Sequence, residues 1–371
     1  MPPSSSPSAT PETSLSDSFP IMPATQPADF TSPISCSGPI GATDPVAAVH
    51  LHGTEDNTLV LRDYADPGNP RTVCDFGQYW PIQILDARHV VIGAASSFAP
   101  VYAVVDLPEV RYHWFQLPTT SPPVTTQFLA VSPGLDQIAW MTSDLETTDT
   151  DVVHITTLAG DKVIATLVNH NEGRCGTADD SSFAGYTRSG NHLFVLDQPY
   201  PQEAALLVVE GETLVFSVIP PAGDWPFGAN PAMAVWSPTS ETLYYRQGTD
   251  VWKWAGGSTP ERWLTGVTWY YPTISADGRY LAYVVMRPDG FHDAYLVDLA
   301  GGGSPEKIGG GGRNQPVFVN ATQLWYRAEG PGEPCGPSGV GPLIYNVVDG
   351  SESSSIIDFV FRVWPATSSN W

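Results

Sequence analysis

Turn signals return at a near-regular interval along this chain, and that interval limits the folds open to it. One unit shows the pattern most clearly: residues 269–308, WYYPTISADGRYLAYVVMRPDGFHDAYLVDLAGGGSPEKI. The spacing predicts four short strands, over Tyr271–Ser275, Tyr280–Met286, Asp293–Leu299 and a last one near Lys307 and Ile308. Ala276-Asp277-Gly278 and Arg287-Pro288-Asp289-Gly290 separate them. Such sequences turn because glycine accepts a positive φ and proline presets φ at the second turn position. A four-stranded antiparallel sheet cannot bury both of its faces alone, so the unit needs copies of itself.

The copies are present. The turn between first and second strands falls near Asp86, Ser132, Ser189, Ser237, Ser275 and Val319, in steps of 46, 57, 48, 38 and 44 residues. A repeat of roughly 40–50 residues is that of a β-propeller blade. The first unit, residues 46–75, is one strand short. The segment Asp358-Phe-Val-Phe-Arg-Val-Trp364 reads as another first strand. If it completes the first blade, the ring closes and no linear array is left with open edges. The expected fold is therefore all-β: a propeller of four-stranded antiparallel blades, seven in number, closed by the C-terminal strand. Six blades is the alternative, because the first unit is short. No stretch shows the 3.6-residue apolar period of a helix.

Residues 1–43 form a Ser-, Pro- and Thr-rich leader with few side chains able to pack, and residues 44–371 the single propeller domain. The leader is expected to be a disordered tether. It lacks the basic and apolar regions of a signal peptide and reads like the spacer after a removed signal or lipid-anchor segment. The expected location is periplasmic, secreted or surface-tethered, with the cytoplasm as the alternative. No run of 18 apolar residues is present to span a membrane.

Charge narrows the partners. The chain carries 39 acidic and 16 basic residues, a net charge of −23, with lysine only at Lys162, Lys253 and Lys307. Such a surface repels phosphate backbones, so no nucleic-acid partner is expected. The four cysteines, Cys36, Cys74, Cys175 and Cys335, form no CxxC pair and so no zinc knuckle. They make either two disulfides or buried thiols. Among the three pairings, Cys36–Cys74 with Cys175–Cys335 is preferred.

The corner motifs carry a family resemblance. Trp236-Ser237-Pro238 with Leu243-Tyr244-Tyr245, and Ile274-Ser275-Ala276-Asp277-Gly278-Arg279-Tyr280-Leu281-Ala282-Tyr283, resemble the W-S-P-D-G-x-x-L-A-Y repeat of TolB-like propellers. Asp293-Ala294-Tyr295-Leu296-Val297-Asp298 followed by Gly301-Gly302-Gly303 looks like the second half of that repeat, and Val131-Ser132-Pro133 like a looser copy. Blades 5 and 6 match by motif, blade 3 partly, and the others by spacing. The resemblance implies a propeller. In the Tol system that propeller is periplasmic, six-bladed and preceded by an α/β domain, for which this chain has no room. Similar repeats precede the hydrolase domain of prolyl oligopeptidases, also absent here.

No G-x-S-x-G elbow, H-E-x-x-H, P-loop or dinucleotide fingerprint occurs. His50 and His52 lie two apart on one strand and share a face, a spacing that could hold a metal, although packed or solvent-facing histidines fit it as well. In a propeller, the loops between blades and those between second and third strands gather at one end of the ring. Those loops are the longest here, and they carry Asp144, Glu146, Asp149, Asp179, Asp180 and Asp224 together with Trp225, Trp269, Tyr270 and His292. Carboxylates beside aromatics suit a cation, a sugar or a basic peptide, and Ca²⁺ takes the same oxygen ligands. A solvated acidic surface with aromatics capping the blades is the other reading. Asn320-Ala321-Thr322 is a glycosylation sequon at a tight turn.

The first functional expectation is a monomeric, non-catalytic propeller that binds a protein, peptide or glycan at this mouth. The alternative is a Ca²⁺-dependent hydrolase of the lactonase or phosphotriesterase kind, with the metal polarising a carbonyl or phosphoryl oxygen. It requires oxygen ligands from several blades to converge on one point in the channel.

Overall fold

In the computed structural model the described residues are 24–26, 34–37, 40–41, 43–51, 59–77, 79, 81–93, 101–107, 109–118, 125–144, 150–168, 183–197, 205–218, 232–329, 339–364 and 367–368. They form seven antiparallel sheets, five of four strands and two of five, and no helix. Each sheet is one blade of a ring. Blade 6 runs Trp269–Ile274, Tyr280–Met286, His292–Asp298 and Glu306–Ile308, from the channel outward.

A blade is apolar on both faces, so each face needs a neighbour. The buried side chains fall into seven clusters, one at every junction between consecutive blades. The cluster between blades 7 and 1 joins Val317, Val319 and Trp325 to Ala47, Val49, Ile357 and Val360. Blade 1 is assembled from both ends of the domain. The strand Ile357–Trp364 pairs antiparallel with Val46–Leu51, with Val46 opposite Trp364 and Leu51 opposite Ile357. The closing strand is also held from blade 7, where Trp325 Nε1–H donates to the carbonyl of Ile357 at 2.9 Å.

The repeated Ser-Pro-Asp-Gly corner has a structural cause. The chain reverses at the foot of the inner strand in the interior, where backbone N–H groups need partners. In blade 6, Ser275 is fully buried; its Oγ accepts from the Tyr280 N–H at 2.9 Å and donates to Asp277 at 2.6 Å. Ser132 and Thr187 serve blades 3 and 4 in the same way, so the corner hydroxyl of blade 4 is Thr187, two residues before Ser189. Asp86 and Asn320 replace the hydroxyl in blades 2 and 7. Gly278 sits at φ +73°, and a Cβ there would come within 2.2 Å of Thr239 Oγ1 in the preceding corner. Glycine therefore serves both the turn and the approach of two blades.

The N-terminal stretch differs from an unpacked leader. Ser35–Cys36 adds a fifth strand to the outer edge of blade 1, and Cys36 is disulfide-bonded to Cys74. Ile34 is buried, its N–H donates to Tyr112 Oη at 2.7 Å, and the Ala24 N–H reaches the carbonyl of Trp114 at 2.9 Å. Packing thus begins well before the expected boundary at residue 44, because the disulfide and an apolar side chain hold the segment against an edge that would otherwise be open. Cys175 and Cys335 lie outside the described residues.

Two outcomes test this architecture. Trp325→Phe removes the indole donor that reaches the Ile357 carbonyl from blade 7, and is expected to cost about 2 kcal/mol in urea unfolding. Cys36→Ser releases a bridge across a sequence separation of 38 residues. The chain-entropy account puts its contribution at up to about 4 kcal/mol. The melting temperature should fall and the Ser35 amide should lose exchange protection, with the far-UV β spectrum kept.

Candidate functional site

The corners described above lie at one end of the ring. The opposite end, the mouth, carries the interblade loops and those between second and third strands. Of the acidic and aromatic residues expected there, Glu146, Asp149, Asp179, Asp180, Asp224 and Trp225 lie outside the described residues, as does His52. Asp144 ends the strand Gln137–Asp144 at the mouth, with its backbone opposite Thr150.

The aromatic residues of blade 6 divide. Trp269 does not reach the mouth surface: it is fully buried, 5.6 Å from the ring of Tyr283, in the core between blades 5 and 6. Among the described residues its Nε1–H has no acceptor. Tyr270 and His292 are half-buried and meet edge-on at 6.1 Å, and Tyr271 lies 6.4 Å from Tyr270. A bulge separates these roles. Tyr271 has φ +51° and the pairing of the inner strand slips between Tyr270 and Thr273. Met233 and Gln315 occupy the same place in blades 5 and 7, at φ +59° and +54°. Positive φ is uncommon for side chains of this size and marks positions held by their surroundings. A bulge on an inner strand re-aims a side chain towards the channel.

The residue that organises this end of the junction is Arg246, at the mouth end of the second strand of blade 5, Thr242–Gln247. Its side chain is 4 % exposed. Nη1 donates to the carbonyl of Trp269 at 2.9 Å, and the guanidinium carbon lies 4.7 Å from the centre of the Tyr270 ring, a cation–π distance. Among the described residues Nε has no acceptor and no carboxylate pairs with the group, whose partners are the Trp269 carbonyl and Tyr270. Burial pulls the pKa of Arg246 down, and the neighbouring Tyr270 opposes that shift. Arginine stays charged even so. A buried cation without a counter-ion is costly, and here it sits in a chain of net charge −23. The sequence signal for it is a lone charge ending the buried run Leu243-Tyr244-Tyr245, at a position filled by Val284 in the next blade.

A second arginine belongs to the closing strand. Arg362 Nε donates to the carbonyl of Ile82, on the inner strand of blade 2, at 2.6 Å. Burial lowers its pKa to about 10. His50 stands 3.4 Å from Asp358, also on the closing strand. Among the described residues no three His, Cys, Asp or Glu side chains gather as metal ligands. The sequon is used structurally: Asn320 is 2 % exposed, its Oδ1 accepts from the Thr322 and Gln323 N–H groups, and its amide donates to Gln323.

The channel also holds a short strand. Thr367–Ser368 pairs antiparallel with the inner strand of blade 5, Thr367 opposite Trp236 and Ser368 opposite Val235. It lies against the inner strands of blades 1, 4 and 6 as well.

No family model matches the chain, and no curated protein matches it. Among solved structures it is similar to the β-propeller domain of the Trilobed protease from Pyrococcus furiosus, at 13 % identity and TM-score 0.44, over 72 % of this chain and 80 % of that one. It is similar to TolB from Acinetobacter baumannii, at 14 % identity and TM-score 0.43, over 87 % and 67 %. It is similar to prolyl oligopeptidase B from Galerina marginata, at 9 % identity and TM-score 0.48, over 86 % of this chain and 52 % of that one. The chain spans about half the length of that peptidase. TolB-like propellers, to which the corner motifs point, are thus among the structures it resembles, and at this identity the likeness is one of fold.

Trp269 and Trp325 allow a paired test, since each is a fully buried indole but only Trp325 has an acceptor for its N–H. Trp269→Phe is expected to cost about 1–2 kcal/mol less than Trp325→Phe in urea unfolding. Equal costs would show that Trp269 Nε1 has an acceptor in solution.

Proposed function

We propose that this protein is an extracytoplasmic binding module that takes a peptide segment of a protein partner at the channel mouth between blades 5 and 6. One observation carries the reading: the half-buried rings of Tyr270, Tyr271 and His292 stand beside a buried guanidinium that has no counter-ion among the described residues. Aromatic rings and arginine are the side chains that anchor protein interfaces. The Cys36–Cys74 disulfide supports an oxidising compartment. Propellers host unrelated activities, so the argument rests on these side chains and not on the fold.

The test is a fluorescence-anisotropy screen of a peptide array, followed by Tyr270→Ala and His292→Ala. Each substitution should weaken the selected peptide about tenfold or more while leaving the melting temperature near that of the parent. A glycan array run in parallel decides the ligand class. Binding confined to glycans overturns the peptide reading. So does a Ca²⁺-dependent rise in melting temperature accompanied by ester, lactone or phosphotriester turnover that EDTA abolishes.

A further inference from the structure

The inner strand of blade 5, Ala232–Trp236, has one edge towards the channel, and that edge is occupied where Thr367–Ser368 pairs with it. The pairing shows that an extended chain fits against this edge beside the inner strands of blades 4 and 6. Its direction is set. Trp236 precedes the corner at Ser237, so Ala232 is the mouth end, and an antiparallel strand climbs from the corner end to the mouth. At the mouth end Ala232 is the register partner of Arg246. A chain laid along this edge therefore travels towards Arg246, whose guanidinium bridges to the Trp269 carbonyl of blade 6 on the same side of the channel.

Arg246 supplies what the end of such a chain requires. It is a fixed cation, 4 % exposed, held by the Trp269 carbonyl and by the ring and hydroxyl of Tyr270, with Nε unpartnered among the described residues. A carboxylate satisfies a guanidinium with two parallel hydrogen bonds. Adding a strand to an exposed sheet edge supplies affinity through main-chain hydrogen bonds, and capture of a terminal carboxylate supplies direction and selectivity. We infer that the channel edge of blade 5 is a docking site for an extended peptide with a free C-terminal carboxylate, which Arg246 receives while the peptide pairs with Ala232–Trp236. This deepens the binding role proposed above and rests on it. It also accounts for an arginine at this mouth with no carboxylate partner among the described residues: the anion would belong to the ligand.

The probe is the hexapeptide Ala-Thr-Ser-Ser-Asn-Trp, the sequence of residues 366–371, labelled at its N-terminus and made with either a free acid or an amide end. It is titrated by anisotropy against the full chain and against a variant lacking residues 366–371, which vacates the edge. Thr367→Pro, which removes the N–H that faces Trp236, vacates the edge without shortening the chain. The expected results are binding to either opened variant, weaker binding to the full chain, and about a tenfold preference for acid over amide. Arg246→Gln in the opened background should erase that preference, and Arg246→Lys should keep part of it. The acid-against-amide comparison is made on one protein, so it stands even if an Arg246 variant folds poorly. Equal affinity for acid and amide, with binding still lowered by Tyr270→Ala, overturns the carboxylate assignment and leaves the binding role intact. An acid preference that survives Arg246→Gln overturns the role of Arg246. Failure of both peptide forms to bind either opened variant, with trigalacturonate bound in an Arg246-dependent way, overturns the peptide assignment in favour of an acidic glycan. Binding of none of these probes overturns both proposals.

Discussion

Pairing of Ile357–Trp364 with Val46–Leu51 is the interaction on which the rest of this structure depends. Each blade is too thin to have a core of its own, and its apolar side chains are buried only because another blade covers them. Seven clusters serve seven junctions, and the cluster between blades 7 and 1 exists only if the two ends of the domain meet. Without the closing strand, blade 1 has three of its four repeat strands and Val46–Leu51 presents an open edge to the channel. Residues more than three hundred positions apart must therefore pair before the last junction is dry. Such non-local pairing is entropically expensive, which explains why it is reinforced from both sides. Trp325 ties the closing strand to blade 7, and Arg362 ties it to blade 2.

Sequence conveyed this ring because the constraints that build it are local and repeated. The corner needs a small acceptor, a turn residue and a following apolar strand, so its letters recur in Ser275-Ala276-Asp277-Gly278 and, in looser form, at Ser132 and Ser237. The missing strand of the first unit was legible as an arithmetic gap, filled by residues 357–364. The Cys36–Cys74 bridge follows the preferred pairing. What sequence did not convey is set by the third dimension. Ser35–Cys36 is too short to register as a strand until Cys74 stands opposite it. Trp269 and Tyr270 are adjacent, yet one is core and the other faces the mouth, because a bulge at Tyr271 breaks the alternation on which a strand reading relies.

Arg246 shows the same limit at the site. From the letters alone it is one of several arginines in an acidic chain, and a surface ion pair is the natural reading. Its significance lies in what surrounds it: a carbonyl and a ring from the next blade, and no carboxylate. The expected acidic mouth was drawn from loops whose residues lie largely outside the described structure. The side chains described at that end of blades 5 and 6 mix aromatic rings, arginines and the carboxylates Asp250, Asp289 and Asp293. On the proposed role, an acidic surface would attract basic partners while Arg246 offers one fixed point for an anion. Long-range attraction and short-range selectivity are thereby assigned to opposite charges, a division that electrostatic steering permits because surface charge is screened and a buried charge is not.

Closure also explains why the channel is where binding would occur. A closed ring removes the edge that an open array would expose between its first and last units, but it leaves the inner edge of every blade facing the axis. Several backbone groups on those edges are met by side chains of the neighbouring blade: Gln83 bonds both the N–H and the carbonyl of Val131, Arg362 the carbonyl of Ile82, and Arg246 the carbonyl of Trp269. The outer edge of blade 1 is covered by a disulfide-held strand, and the inner edge of blade 5 is covered by Thr367–Ser368. The first cover is covalent and permanent under oxidising conditions. The second is a non-covalent pairing, described over Thr367 and Ser368. On the docking role inferred above, the disulfide-held edge would be the structural one and the edge beside Arg246 the recognition one.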